Sequence, residues 1–500
     1  MEGKTVSKIK NIILLDGIQQ KGTLLLPIRL TILYLAFSIF VYIVCPFNWE
    51  TPKPILFYSL LLIYMGAIWL GYHVGMSRKY NQSFALSPIM TDKLIQIVSL
   101  MTVVSCILYV INIFRDYGFS SFDFVGLCKQ MWLGIQNPGF GYAFRAERLL
   151  SSVQGSDVVG GYAITLINYI WSFVELPSVI LSLLYFCRLK PYAKICAVLY
   201  IILTFTYYLS IGTNIRVFHV FLLIELPAII TVLSQSYQRQ LNRKNVCRFI
   251  VSMVLGILLM AGYFTWMMVS RGGINRYEDP SYNVGGVSID IGNETPETPA
   301  ETPPENPSEE PPTSPTTPPS VSTPSFQVPP ILMKFWISFS SYFTQGYYGM
   351  SLALTEPWTP MFGFGNSMFV VNFVSDHFFD IDQYTYQMKV ERDYGWDSDI
   401  QWASMYSWLA NDVSFYGVIL VMFLIGFLLA LIYKDAITTN NCFAKVGIFY
   451  FILMLLFIPC NNQLAQNAYT LFSFVFVMFS WILSKCLPNI LQKRKQKSSL

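Results

Sequence analysis

Five hundred residues, 54% of them hydrophobic and only 12% charged, exclude a string of soluble domains and leave a chain whose solvent is largely a lipid bilayer. The net charge of +4 is spread over loops that flank apolar runs, so it does not point to a nucleic-acid partner, and none is expected. Nine cysteines with no CxxC pair and no Cys/His metal spacing predict neither a structural disulfide nor a zinc site; most lie in apolar runs, where Cys acts as a small hydrophobe.

The basic N-terminus leads into the first apolar run without a short apolar core and small-residue cleavage site, so the first span is expected to be retained. Runs of about 20 apolar residues match the hydrocarbon thickness of a bilayer. They predict spans at roughly 24–45, 55–76, 94–114, 162–187, 195–211, 217–233, 249–269, 413–433, 446–460 and 468–487. The stretch 331–354 is ambiguous. It enters and returns without crossing, or it pairs with 361–379 as two further crossings, giving ten or twelve spans. The fold class expected is all-α and polytopic. Its regions are an N-terminal bundle at 1–269 with an outer loop at 115–161, an outer loop at 270–330, a segment at 331–412 and C-terminal helices at 413–500.

An even number of spans puts both termini on one side. The termini and the loops 77–93, 188–194, 234–248 and 434–445, with adjoining helix ends, hold two-thirds of the 33 Lys and Arg, which assigns them to the cytoplasm. Residues 293–330 are rich in Pro, Thr, Ser and Glu and hold nearly half of the 27 prolines. Such a segment has no apolar surface to bury and is predicted to be extended or disordered in water, on the outer side.

The outer face gathers the candidate functional residues. Arg216 lies in a short hairpin, Gly212-Thr213-Asn214-Ile215-Arg216, where a guanidinium either anchors a helix end or meets an anion. His219 follows at i+3 on the same face. Arg271 ends a span at Ser270-Arg271-Gly272-Gly273, with Arg276 beyond, and paired glycines allow a ligand to approach the backbone. Arg145 and Arg148 share one helix face if that loop is helical. The last outer loop is acidic and aromatic, with Asp376, His377, Trp402, Trp408 and Asp412 among its residues. Aromatic faces and carboxylates suit sugars; the alternative is an interfacial aromatic belt. Glu175 and Glu225 sit near mid-span, each followed by Leu-Pro, as functional carboxylates or as partners for backbone at a proline kink.

In layout and short patterns the chain resembles the O-antigen polymerase (Wzy-type) family of oligosaccharide repeat-unit polymerases. The patterns are the Arg216 hairpin, the Arg271 turn, Gly346-Tyr347-Tyr348-Gly349, Gly363-Phe364-Gly365-Asn366-Ser367 and Trp402 through Gly426. The Pro/Thr-rich insert departs from the usual pattern. The resemblance implies a GT-C-like fold and glycosyl transfer at the outer face of the bacterial inner membrane. It implies a polyprenyl-diphosphate-linked glycan as donor, a sugar hydroxyl of another lipid-linked unit as acceptor, and no cofactor or metal. A flippase and a chain-length regulator are the implied partners. Arg216 and Arg271 would stabilise the leaving diphosphate, and His377, Asp376 or His219 would take the hydroxyl proton. Arg145, Arg148, Arg276, His219, Trp402, Trp408 and Asp412 would bind substrate. An O-antigen ligase shares that donor, and a lipid-linked oligosaccharide flippase or transporter is the alternative of another class.

Overall fold

The computed structural model describes residues 2–47, 49–78, 92–141, 143, 161–270, 330–398, 401–439 and 441–497. Every regular element among them is helical. The N-terminal part holds α1 (Glu2–Val44), α2 (Pro54–Ser77), α3 (Asp92–Asp116), α4 (Phe124–Gln136), α5 (Gly161–Trp171) and α6 (Glu175–Leu184). Next come α7 (Pro191–Ser210), α8 (Asn214–Gln238) and α9 (Arg243–Ser270). The remainder is α10 (Pro330–Ala353), α11 (Met368–His377), α12 (Tyr386–Tyr394), α13 (Met405–Lys434), α14 (Cys442–Phe457) and α15 (Ala468–Lys497).

Each of the ten predicted spans coincides with a helix or a broken helix. Among the described residues eight helices are long and apolar enough to cross a membrane, or nine if α5 and α6, bent by 50°, form one broken span. The remaining run, 446–460, corresponds to α14, whose 16 residues rise about 24 Å, short of the ~30 Å hydrocarbon core. The bend between α5 and α6 has a local cause. Pro177 lacks an N–H and clashes with a preceding turn, so it is tolerated only in the first turn of a new helix, which Glu175 begins. In α8, Pro227 lies inside an unbroken helix, so the similar Glu-Leu-Pro triplets have different backbones.

The two versions offered for 331–354 both need correction. The stretch is one continuous helix, α10, so it does not turn back within itself. Its supposed pairing partner, 361–379, contains only the ten-residue α11, too short to span. The reason is polarity. Ser338, Ser340, Ser341 and Thr344 face protein, and each is almost fully buried. α10 packs against the ends of other helices: Phe264 of α9 meets Tyr342 at 5.0 Å, and Asn214 at the start of α8 donates to the Tyr342 hydroxyl at 3.2 Å. Its last turn is held by Lys53, which donates to the Leu354 carbonyl at 2.9 Å.

The most extensive helix pair is α2 with α13, and glycine makes it possible. A Cβ on Gly71 would lie 1.9 Å from the Phe423 carbonyl oxygen, and one on Gly426 would lie 2.1 Å from that of Ile68. Gly71 and Gly75 form a GxxxG pair, the spacing that lets membrane helices approach at backbone distance. The helices run parallel, since Gly71 meets Phe423 and Gly75 meets Phe427. Hence 54 and 405 start at the same end of the bundle. The neighbouring contacts agree. Ser404 N–H donates to Gly346 and Met405 N–H to Ile458, while Ser367 donates to Ala465. The loops 211–213, 354–367, 378–385, 395–398, 401–404 and 458–467 therefore meet at one end, called here the site face.

Candidate functional site

At the site face the chain turns tightly between α7 and α8. Gly212 takes φ +63°, a conformation that favours glycine, and α8 begins two residues later. This exposes the positive end of a helix dipole and its unpaired N–H groups. Thr213 at the cap makes no side-chain capping bond, and its buried hydroxyl has no partner among the described residues. Arg216 adds a full charge in the first turn. Its guanidinium lies over the Tyr208 ring, 5.9 Å from the centroid. Half-buried, it forms no ion pair with any described carboxylate.

This helix start opens into a cavity of about 630 Å³. Arg216, Asp376, His377 and Trp402 all line it, although they lie far apart in the chain. Asp376 and His377 are exposed at the end of α11, and Asp376 accepts no hydrogen bond from a described residue. His377 Nδ1 lies 2.9 Å from the Phe373 carbonyl, and its ring stacks on Phe373 at 4.6 Å. A carbonyl only accepts, so this contact assigns the neutral imidazole's proton to Nδ1 and leaves the Nε2 lone pair free. Trp402 meets Tyr342 edge-on at 4.6 Å, which fixes one aromatic wall.

The same cavity has amide donors and acceptors that the sequence reading overlooked: Asn372, Gln463, Gln466 and Asn467. The signal was present. Residues 461–467 read Asn-Asn-Gln-Leu-Ala-Gln-Asn, a polar cluster between two apolar helices. Asn467 also starts α15, with its side chain accepting from Thr470 N–H at 3.1 Å.

Other predicted residues have different surroundings. The Asp412 carboxylate accepts from Gly363 N–H at 2.8 Å, Gly365 N–H at 2.9 Å and the Asn366 amide at 2.8 Å. It holds the Gly363–Asn366 loop and does not line the cavity. Beside it Asn411 receives Tyr386 N–H at 2.8 Å and donates to the Gly365 carbonyl at 2.8 Å. The helix breaks just beyond, at Ser414, whose φ +61° and ψ 166° are strained for a residue with a Cβ. Trp408 is half-buried, with an indole N–H that has no partner among the described residues. The acidic loop is crowded by its own charges: a hydrogen bond with Asp380, then partial burial, raises the Asp382 carboxyl above its ordinary range. Arg145, Arg148, Arg271 and Arg276 lie outside the described residues.

A second cavity, of about 390 Å³, shares Arg216 and Tyr169 with the first. His219 lines it, buried, with an Nε2 that has no hydrogen-bond partner among the described residues. Glu175 lines it too and accepts from the Tyr200 hydroxyl at 2.9 Å. Glu225 lines neither cavity; one oxygen takes a short hydrogen bond from Ser252 on α9.

Comparison with known proteins finds no matching family model, no matching curated protein and no matching solved structure.

Proposed function

We propose that this chain is a glycosyltransferase that polymerises lipid-linked oligosaccharide repeat units at the outer face of a bacterial inner membrane. The observation that carries the reading is the larger cavity. An arginine with no described acidic partner and the positive end of α8 meet aromatic rings, amides, a carboxylate and an imidazole within one space. A helix start with a guanidinium suits a phosphoryl group. Aromatic rings and amides suit the faces and hydroxyls of a glycan.

In the proposed reaction an acceptor sugar hydroxyl attacks C1 of the donor sugar. The C1–O bond breaks with its electron pair leaving on the polyprenyl diphosphate. The hydroxyl proton goes to an imidazole of the site, His377 or His219, according to where the acceptor binds. Arg216 stabilises the charge that builds on the diphosphate, an effect strongest where water is scarce. One such group contributes ~3 kcal/mol, on the order of 100-fold in rate.

The test is Arg216→Lys beside Arg216→Ala, with protein level and melting temperature checked. An ammonium cannot reproduce the planar bidentate fork, so both changes should lower turnover about 100-fold. Full activity with Lys would make Arg216 a snorkelling anchor and remove the phosphoryl site.

A further inference from the structure

We infer that the second cavity is an acceptor subsite, a well that takes the terminal sugar of the incoming lipid-linked glycan. This rests on the glycosyl-transfer reading for the word acceptor, but its geometry stands separately. The rim is polar and open: Asp116 and Tyr169 are exposed and Arg115 is half-buried. The floor is Glu175 and Tyr200, both buried, with Leu223 and Phe449 behind them. The well thus descends along α8 from Arg216 past His219 to Leu223, into the apolar depth of the bundle.

Buried polar groups at that depth are expensive unless hydrogen-bonded, and the His219 Nε2 in this well has no partner among the described residues, which marks the well as a candidate site. Its lining selects the occupant. Asp116 and Glu175 oppose an anion, Arg115 and Arg216 oppose a cation, and the hydroxyls and amides oppose a lipid tail. A neutral, polyhydroxylated ring satisfies all three. Tyrosine rings offer faces for the apolar side of a sugar. The carboxylate of Glu175 accepts from paired hydroxyls while Tyr200, itself 3.0 Å from the Tyr469 hydroxyl, holds it in place. Asn112 and Asn168 exchange hydrogen bonds at 2.6 and 3.3 Å across α3 and α5, which fixes the wall near the rim. A volume of about 390 Å³ lies at the low end of the roughly 300–1,000 Å³ of ligand sites, room for a ring or two rather than an oligosaccharide.

The shared wall gives the well its role. Arg216 borders both cavities, so a diphosphate held there lies between a donor glycan in the larger cavity and a sugar in the well. His219, one helical turn below Arg216, then lines the acceptor's side and is the imidazole that takes the hydroxyl proton.

The experiment is saturation-transfer NMR on the purified full chain with a panel of neutral methyl glycosides at millimolar concentration. At least one glycoside should bind. Glu175→Gln should weaken it at least tenfold, and Tyr200→Phe, which deletes one hydroxyl and frees the carboxylate, several-fold. Lys129→Ala, exposed on α4 and lining neither cavity, should leave its affinity within twofold. No binding by any glycoside, or equal binding in Glu175→Gln and Tyr200→Phe, overturns the subsite. Should Glu175→Gln fail to fold, Tyr200→Phe carries the decision. Polymer formation without glycoside binding would reject the well and leave the transferase standing. Glycoside binding without polymer would keep the sugar well and reject the transferase.

Discussion

Single residues separate into those that face the larger cavity and those that hold its walls. Arg216, Asp376, His377 and Trp402 face it. Asp412 does not; its three hydrogen bonds go to the Gly363–Asn366 loop. Asp412→Ala should therefore act through stability. Loss of charge-assisted bonds to a partly buried loop costs roughly 2 kcal/mol or more. The melting temperature should fall, while turnover per folded molecule falls less than in Arg216→Ala. An unchanged melting temperature with a raised KM would instead make Asp412 a substrate contact. The sequence made Arg216 legible because a charge in a very short hairpin between apolar runs is conspicuous. It did not separate Asp412 from Asp376, since both are acids in a polar loop and only the fold decides which carboxylate meets backbone N–H groups. The amides of 461–467 were passed over because they carry no charge, although five polar side chains in a short connection between apolar helices mark a site as clearly as an arginine does.

Among the elements, the apolar runs were legible because hydrophobic length maps directly onto helix length. α10 was not, because its serines and threonine are buried in protein, and a polar helix covered by neighbours reads like a re-entrant loop in sequence. The close parallel contact of α2 and α13 was also missed, though Gly71 and Gly75 stand at the required spacing. This pair aligns the starts of both helices at the site face, so it sets the frame for the cavity. Gly71→Val would push a side chain against the Phe423 carbonyl, where even a Cβ comes to 1.9 Å. The helices must separate, and folded protein recovered in detergent should fall severely. Gly66→Ala on the same helix, where a Cβ meets nothing within 4 Å, should be recovered like the unaltered chain. Equal recovery of Gly71→Val would contradict the close contact.

For the whole molecule, the helix directions gather the two cavities and their loops at one end, while the basic loops at 185–190 and 239–242 lie between helices at the other. The Lys/Arg balance predicts that the site end faces outward. Reporters active only outside, fused after Pro312 and after Arg243, should give opposite signals, with the first one active. Equal signals would break the orientation on which outward-facing chemistry depends. The central claim is joined repeat units, and it is tested most directly by incubating the purified chain in vesicles with a synthetic polyprenyl-diphosphate-linked repeat unit. A ladder of products spaced by one repeat unit, with one polyprenyl diphosphate released per bond, is the expected result. Unchanged substrate, whether left in place or moved across the vesicle membrane, would contradict polymerisation, and movement would identify a flippase instead.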